Sequence, residues 1–142
     1  MTKLSMEDIQ KMNAMEQITG AKAQDVVDLP DRIIFIVPKQ DLGKAIGKGG
    51  SNVSRLKQGL GKPVEIVEAA DEEKAFFAAL FKPAVVDDYS VNENDGKRSL
   101  DVRVQNKERG IAIGRNGEKI KRAKLLGKRY YGYEDVRIVT RG

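Results

Sequence analysis

Five apolar residues in a row, Ile33 to Val37 ("IIFIV"), stand between the turn Pro30-Asp31 and Pro38. A strand without polar members has no wet face, so this run predicts a buried strand. The β-rich run "AQDVVDL" (residues 23–29) precedes it. Before that, "SMEDIQKMNAMEQI" (residues 5–18) places Ile9, Met12, Met15 or Glu16, and Ile18 in a loose helical stripe. Ser5 with Asp8 three residues later makes a variant capping box, and Gly20 stops the helix. Beyond Pro38 the pattern gives a short helix ("KQDLGKAI"), a loop ("GKGG"), a longer helix ("SNVSRLKQGL") ended by Gly61 and Pro63, and a closing strand ("VEIVE").

The same order then repeats. "DEEKAFFAALFK" predicts a helix capped by Asp71, with Phe77, Leu80 and Phe81 on one face. "AVVDDYSV" and "RSLDVRVQ" predict two strands around "NENDGK", where Asp95-Gly96 is a hairpin signal. In the second of these, Leu100, Val102 and Val104 alternate with Asp101 and Arg103, so one side is buried and the other wet. "NKERGIAI", "GRNG" and "EKIKRAKLLGKRYY" repeat the helix, loop and helix; Gly132 ends the last, and "EDVRIVT" closes the unit. The expected class is therefore α+β, with each unit running α-β-β-α-α-β and a three-stranded sheet packed on helices. The expected domains are 1–70 and 71–142. With no Gly/Ser-rich or Pro-rich linker between them, a fixed relative orientation and one longer binding surface are expected.

Composition narrows the chemistry. The 142 residues contain neither Cys nor His, which removes disulfides, thiolate nucleophiles and the commonest general base and metal ligand. The expectation is a non-enzyme with no cofactor and no metal. The acids at Asp87-Asp88 and Asp71 to Glu73 read as solvation and capping. No run is long enough to cross a bilayer, and the start has no signal-peptide core, so the default is a cytoplasmic protein without a membrane partner.

The net charge of +5 is unevenly spread. Lys39 to Lys62 carries six bases against one acid, and Lys107 to Arg129 nine against two, leaving the rest of the chain acidic. Both clusters surround a repeat: "AIGKGGSNV" (45–53) returns 67 positions later as "AIGRNGEKI" (112–120). In each copy two glycines bracket two residues between helices. Glycine permits backbone angles closed to other residues, and the following helix start offers unpaired amides to an anion. Lys48 and Arg115 add a full charge. Spacing excludes a Walker A loop, because Gly47-Lys48 is followed by Gly49, and no G-x-G-x-x-G follows a strand. Clustered cations around such loops point to a polyanion.

The pattern I-G-x-x-G-x-x-[IV] after two strands and before a third resembles the KH module in its type II form. The tandem pair is similar to the KH region of NusA, and the chain resembles the archaeal NusA-like family of transcription factors. Counterparts of the polymerase-contacting domain and oligonucleotide-binding barrel of bacterial NusA are absent from this sequence. The resemblance implies that Gly47, Lys48, Gly49 and Gly50, and Gly114, Arg115, Asn116 and Gly117, grip the backbone of single-stranded RNA. Bases would lie on Ile46 and Val53, or Ile113 and Ile120, and the edge of each unit's second strand would form the facing wall. Those four aliphatics can equally clamp the helices onto the sheet, and the two roles are compatible. Lys119 and Arg122 join the candidate RNA contacts. Tyr130, Tyr131 and Tyr133 either stack on bases or cover the core.

The implied function is RNA binding in transcription elongation or termination by a monomer, with RNA polymerase as a second partner. The alternatives are a ribosome-associated or rRNA-processing KH protein, or a polymerase-docking protein whose RNA contact is incidental.

Overall fold

The computed structural model describes residues 4–141. The chain divides into two compact units, one ending at Asp71 and one beginning at Glu72.

In the first unit, α1 (Met6–Thr19) starts at Ser5, whose Oγ accepts from the Asp8 amide at 3.0 Å while Asp8 Oδ2 accepts from the Ser5 amide at 3.0 Å. Gly20 ends the helix in the left-handed conformation. Then come β1 (Asp25–Asp28), β2 (Ile33–Val37), α2 (Leu42–Ile46), α3 (Ser51–Leu60) and β3 (Val64–Glu68). The sheet order is β1-β2-β3, antiparallel then parallel. β2 is buried along its whole length, as a central strand with no polar residue should be. Met15, Ala21, Val26, Phe35, Ala45 and Leu56 form the heart of the core. Ile9, expected on the apolar stripe, is 42% exposed; the core takes Met12, Met15 and Ile18 instead.

The second unit repeats the order with α4 (Glu73–Phe81), β4 (Asp88–Asn94), β5 (Lys97–Gln105), α5 (Arg109–Ile113), α6 (Glu118–Tyr131) and β6 (Asp135–Arg141). Its sheet is β4-β5-β6 with the same sense of pairing. Leu100, Val102 and Val104 are buried, while Asp101 and Arg103 between them are only partly covered.

Three local expectations change. Asp71 does not cap α4: the helix begins at Glu73, after Glu72, and no side chain bonds its first amides. Its first turn is held instead from the core side, where Phe76 and Phe77 are buried and Glu73 Oε1 accepts from the Tyr133 hydroxyl at 2.8 Å. β4 begins at Asp88 rather than near Ala84, because the Ala84 amide turns back to the Phe81 carbonyl at 2.9 Å and residues 84–87 round a corner. The hairpin is also tighter than "NENDGK" suggested. Asn94 pairs with Lys97, so the turn is only Asp95-Gly96, with φ of 53° and 77°. Positive φ at both positions matches the right-handed strand twist and lets the ladder run to the end.

Candidate nucleic-acid interface

Each unit presents one sharp corner between two helices. In the first, the Gly47 amide closes α2 on the Gly43 carbonyl at 2.8 Å, and the Gly50 amide returns to Gly47 at 3.2 Å. In the second, Gly114 and Gly117 make the same two bonds, each at 3.0 Å. The amides of Lys48 and Gly49, and of Arg115 and Asn116, take part in neither of these closing bonds, nor in the one that starts the next helix.

Gly47 has φ 74° and ψ 168°, and Gly114 φ 81° and ψ 168°, a region only glycine occupies readily. A methyl group there would also collide. At Gly47 it would lie 2.8 Å from the Asn52 amide nitrogen, and at Gly114 2.9 Å from Lys119 Cγ. The first glycine of each loop is thus fixed by local geometry. Gly49 and Asn116 share a left-handed conformation, φ 63° and 58°, with open space around Gly49. That explains why glycine and asparagine alternate at this position.

The sequence-predicted residues fall into distinct places. Lys48 and Arg115 are exposed in their loops. Ile46 is 37% exposed at the end of α2, while Val53 packs against the first core. Ile113 and Ile120 are half-buried and line a groove of about 490 Å³ in the second unit. Val53 thus helps hold its helices on the core, while Ile113 and Ile120 border open space. Lys119 and Arg122 each bond a backbone carbonyl. Lys119 Nζ donates to the Ile111 carbonyl at 3.2 Å; its ammonium pKa is lowered, first by burial and then by the neighbouring Arg122 charge. Arg122 Nη2 reaches the Leu80 carbonyl of α4 at 3.4 Å.

The facing wall is the third strand, not the edge of the second. β2 and β5 are central, with a neighbour on each side, so neither has a free edge. A helical crossover between parallel strands sets the third strand beside the second on the helix-covered sheet, and that strand becomes the wall. In the second unit the groove is lined by Val136, Arg137, Ile138 and Val139 of β6, together with Arg109, Lys124 and Asp101. Sequence reading missed these residues. The sequence gives "EDVRIVT" as the segment that closes the unit, but only the pairing says which strand borders the helices.

The tyrosines of "KRYYGY" pack on the aromatic side of the second unit's core, with Tyr133 buried and Tyr130 and Tyr131 partly exposed. Tyr133 is 1% exposed, its hydroxyl bonds Glu73, and the Arg98 guanidinium sits 4.7 Å from its ring centre. Tyr131 contacts both Phe76 and Phe77, and Tyr130 meets Phe76 edge-on. Among the described residues no group of three or more His, Cys, Asp or Glu could hold a metal ion, and no helix is long and apolar enough to cross a membrane.

The family model for the KH domain matches residues 10–87. A protein of Halobacterium salinarum called "Probable transcription termination protein NusA" is 35% identical over 96% of this chain and 97% of its own. This chain belongs to the archaeal NusA-like KH family. A relative of the same name in Methanococcus vannielii is 33% identical over 97% of this chain and 80% of its own length. Among solved structures, the crystal structure of APE1850 is similar with a TM-score of 0.89 and 30% identity, covering 96% of this chain and 100% of that one. The KH match ends at residue 87, just before β4, so the likeness of the second unit to the first rests on its element order and loop geometry.

Proposed function

We propose that this NusA-like chain is a single-stranded RNA-binding protein of transcription, built as two type II KH modules in tandem with domains meeting near residues 70–71, and that it acts in termination or elongation as its relatives' names say of them. The observation that carries this reading is the duplicated corner. Two loops of the same backbone conformation each hold a first glycine in a region closed to other residues, leave two amides outside the closing bonds and carry an exposed cation. Such a corner binds an anionic backbone through amide hydrogens, the helix dipole and one full charge. An apolar groove floor beside it suits unstacked bases, and a KH loop holds about four nucleotides. Gly47, Lys48, Gly49, Gly50, Gly114, Arg115, Asn116 and Gly117 supply the backbone grip. Ile46, Val53, Ile113 and Ile120 supply the floor.

The test is replacement of Lys48-Gly49 and of Arg115-Asn116 by Asp-Asp, separately and together, in the full chain. Folding should persist, since these positions are exposed. RNA affinity should collapse in the combined variant. Wild-type affinity should fall with salt by about 0.7 log units per log unit for each phosphate neutralised. A flat salt response, or full affinity in the combined variant, would refute the reading. Terminator read-through by an archaeal polymerase, with and without the chain, tests the transcription role.

A further inference from the structure

Set in register, the two repeats part company at one position of the groove wall. The 67-position offset that carries Gly47 onto Gly114 carries Ile33 onto Leu100 and Ile34 onto Asp101. Ile34 pairs with Glu65, and Asp101 with Arg137, so Glu65 and Arg137 hold the same ladder position. The charges around them are inverted. Glu65 Oε2 accepts from Arg32 at 3.0 Å. Arg137 donates from Nε to Asp101 Oδ1 at 3.1 Å, and its Nη2 lies 3.0 Å from the same oxygen. Nη2 also reaches Ser99 Oγ at 3.3 Å, and Asn92 Nδ2 holds Asp101 Oδ2 at 2.9 Å. Ile113, Ile120 and Ile138 share the groove with Arg137.

A guanidinium held against a carboxylate has much of its charge matched, so it is a weak clamp for phosphate. What it keeps is geometry. Nε and Nη2 are engaged by Asp101, and Nη2 also by the longer contact to Ser99 Oγ. When a base displaces Ser99, the Nη1 and Nη2 hydrogens at the tip of the planar fork point together, and two parallel donors fit two adjacent acceptors. Guanine offers such a pair at O6 and N7, and cytosine at O2 and N3. Adenine and uracil set a donor beside each acceptor on their hydrogen-bonding edges. Glu65, an acceptor at the equivalent place, cannot make this contact.

We propose that Arg137, braced by Asp101, is a specificity-determining residue: it reads one base with two adjacent acceptors, guanine or cytosine, in the second unit, and the first unit lacks this discrimination. The inference rests on the RNA-binding reading above.

The experiment measures binding of the full chain to a labelled uridine decamer and to decamers carrying one guanine, cytosine or adenine. Wild type should bind the guanine or the cytosine decamer roughly tenfold tighter than oligouridine, at the lower end of what a bidentate pair discriminates, and adenine should give no gain. Comparing the guanine and cytosine arms identifies the base. Arg137→Gln should erase the preference, weakening the preferred decamer roughly tenfold more than it weakens oligouridine. Arg137→Lys, which keeps the charge but loses the fork, should behave in the same way. Thermal unfolding of both variants checks that the exposed position leaves the fold intact. A preference that survives Arg137→Gln overturns the inference, as does equal weakening toward every oligomer, which would assign Arg137 to phosphate. Wild type failing to bind any oligomer would instead overturn the RNA-binding reading itself.

Discussion

Lys119 Nζ donates to the carbonyl of Ile111 at 3.2 Å, bridging the start of α6 to the end of α5 across the glycine loop. At the matching place in the first unit a different side chain makes the same bridge: Asn52 Nδ2 donates to the Lys44 carbonyl at 2.7 Å. Chemistry differs while the bond persists, so the bond is the shared feature. It occupies one of the carbonyls that a helix end leaves unpaired. Lys119→Asn should therefore retain the bridge, with RNA affinity within about twofold of wild type. Lys119→Met, without a donor, should loosen the loop and weaken RNA binding severalfold. Neither variant should change the salt dependence. A slope reduced by about 0.7 in both would mean that Lys119 touches phosphate after all.

The two kinds of loop glycine should respond in opposite ways. Gly47→Ala and Gly114→Ala force a side chain into a glycine-only region and against the next helix. Each should lower stability by about 1–3 kcal/mol. Gly49→Asn copies the residue that the second loop already uses at φ 58°, in open space, and should change stability by less than about 0.5 kcal/mol. Urea unfolding of the three variants checks the contrast; equal losses would contradict it.

Tyr133 sets an alkaline limit. Burial, then its hydrogen bond to Glu73 and the Glu73 charge, push its phenol up to about 12, with Arg98 pulling the other way. The folded value exceeds the ordinary 10, so the contribution is complete below pH 10 and is lost as pH rises toward 12. Stability measured by urea unfolding should fall across that window. In Tyr133→Phe the fall should be shallower, and the variant should be less stable at pH 7 by about 1 kcal/mol for the lost hydrogen bond. An identical pH profile in the variant would rule out Tyr133 as the source.

Asp28 works at the other end of the scale. The Lys62 ammonium, 2.7 Å away, and Lys11 at 3.0 Å hold its carboxyl below the usual value of 3.8, against a smaller opposing effect of burial. A depressed folded value means the stabilisation is present above pH 3.8 and disappears as pH falls through the folded value. Asp28→Asn should cost up to about 1 kcal/mol at pH 7, as expected for a partly exposed pair, and progressively less as pH falls through the folded value. A cost that stays constant across that range would show that packing, not charge, is responsible.

Much of the architecture was legible before any coordinates. The Ser5–Asp8 box, the buried run Ile33 to Val37 and the alternation Leu100-Val102-Val104 each depend on residues close in sequence, and each appears in the structure. What was not legible shares a cause. Asp71 looked like a cap, but α4 begins at Glu73, whose carboxylate is bonded by Tyr133, 60 residues downstream. Lys119, given as a candidate RNA contact, also donates to a carbonyl eight residues earlier, a bond that its place in the sequence does not announce. Arg137 drew no notice because nothing nearby in sequence marks it; its partner Asp101 is 36 residues away and meets it only through parallel pairing.

The sequence by itself determined the repeat, the α-β-β-α-α-β order, the concentration of cations and the two glycine corners. Periodicity, backbone permissiveness and charge act over a few residues and can be read along a line. Tertiary structure alone decided which strand walls the second unit's groove, which cations bond a backbone carbonyl and which guanidinium a carboxylate holds in place. Those outcomes depend on pairing and packing between distant segments, where a one-residue change of register would bring different side chains together.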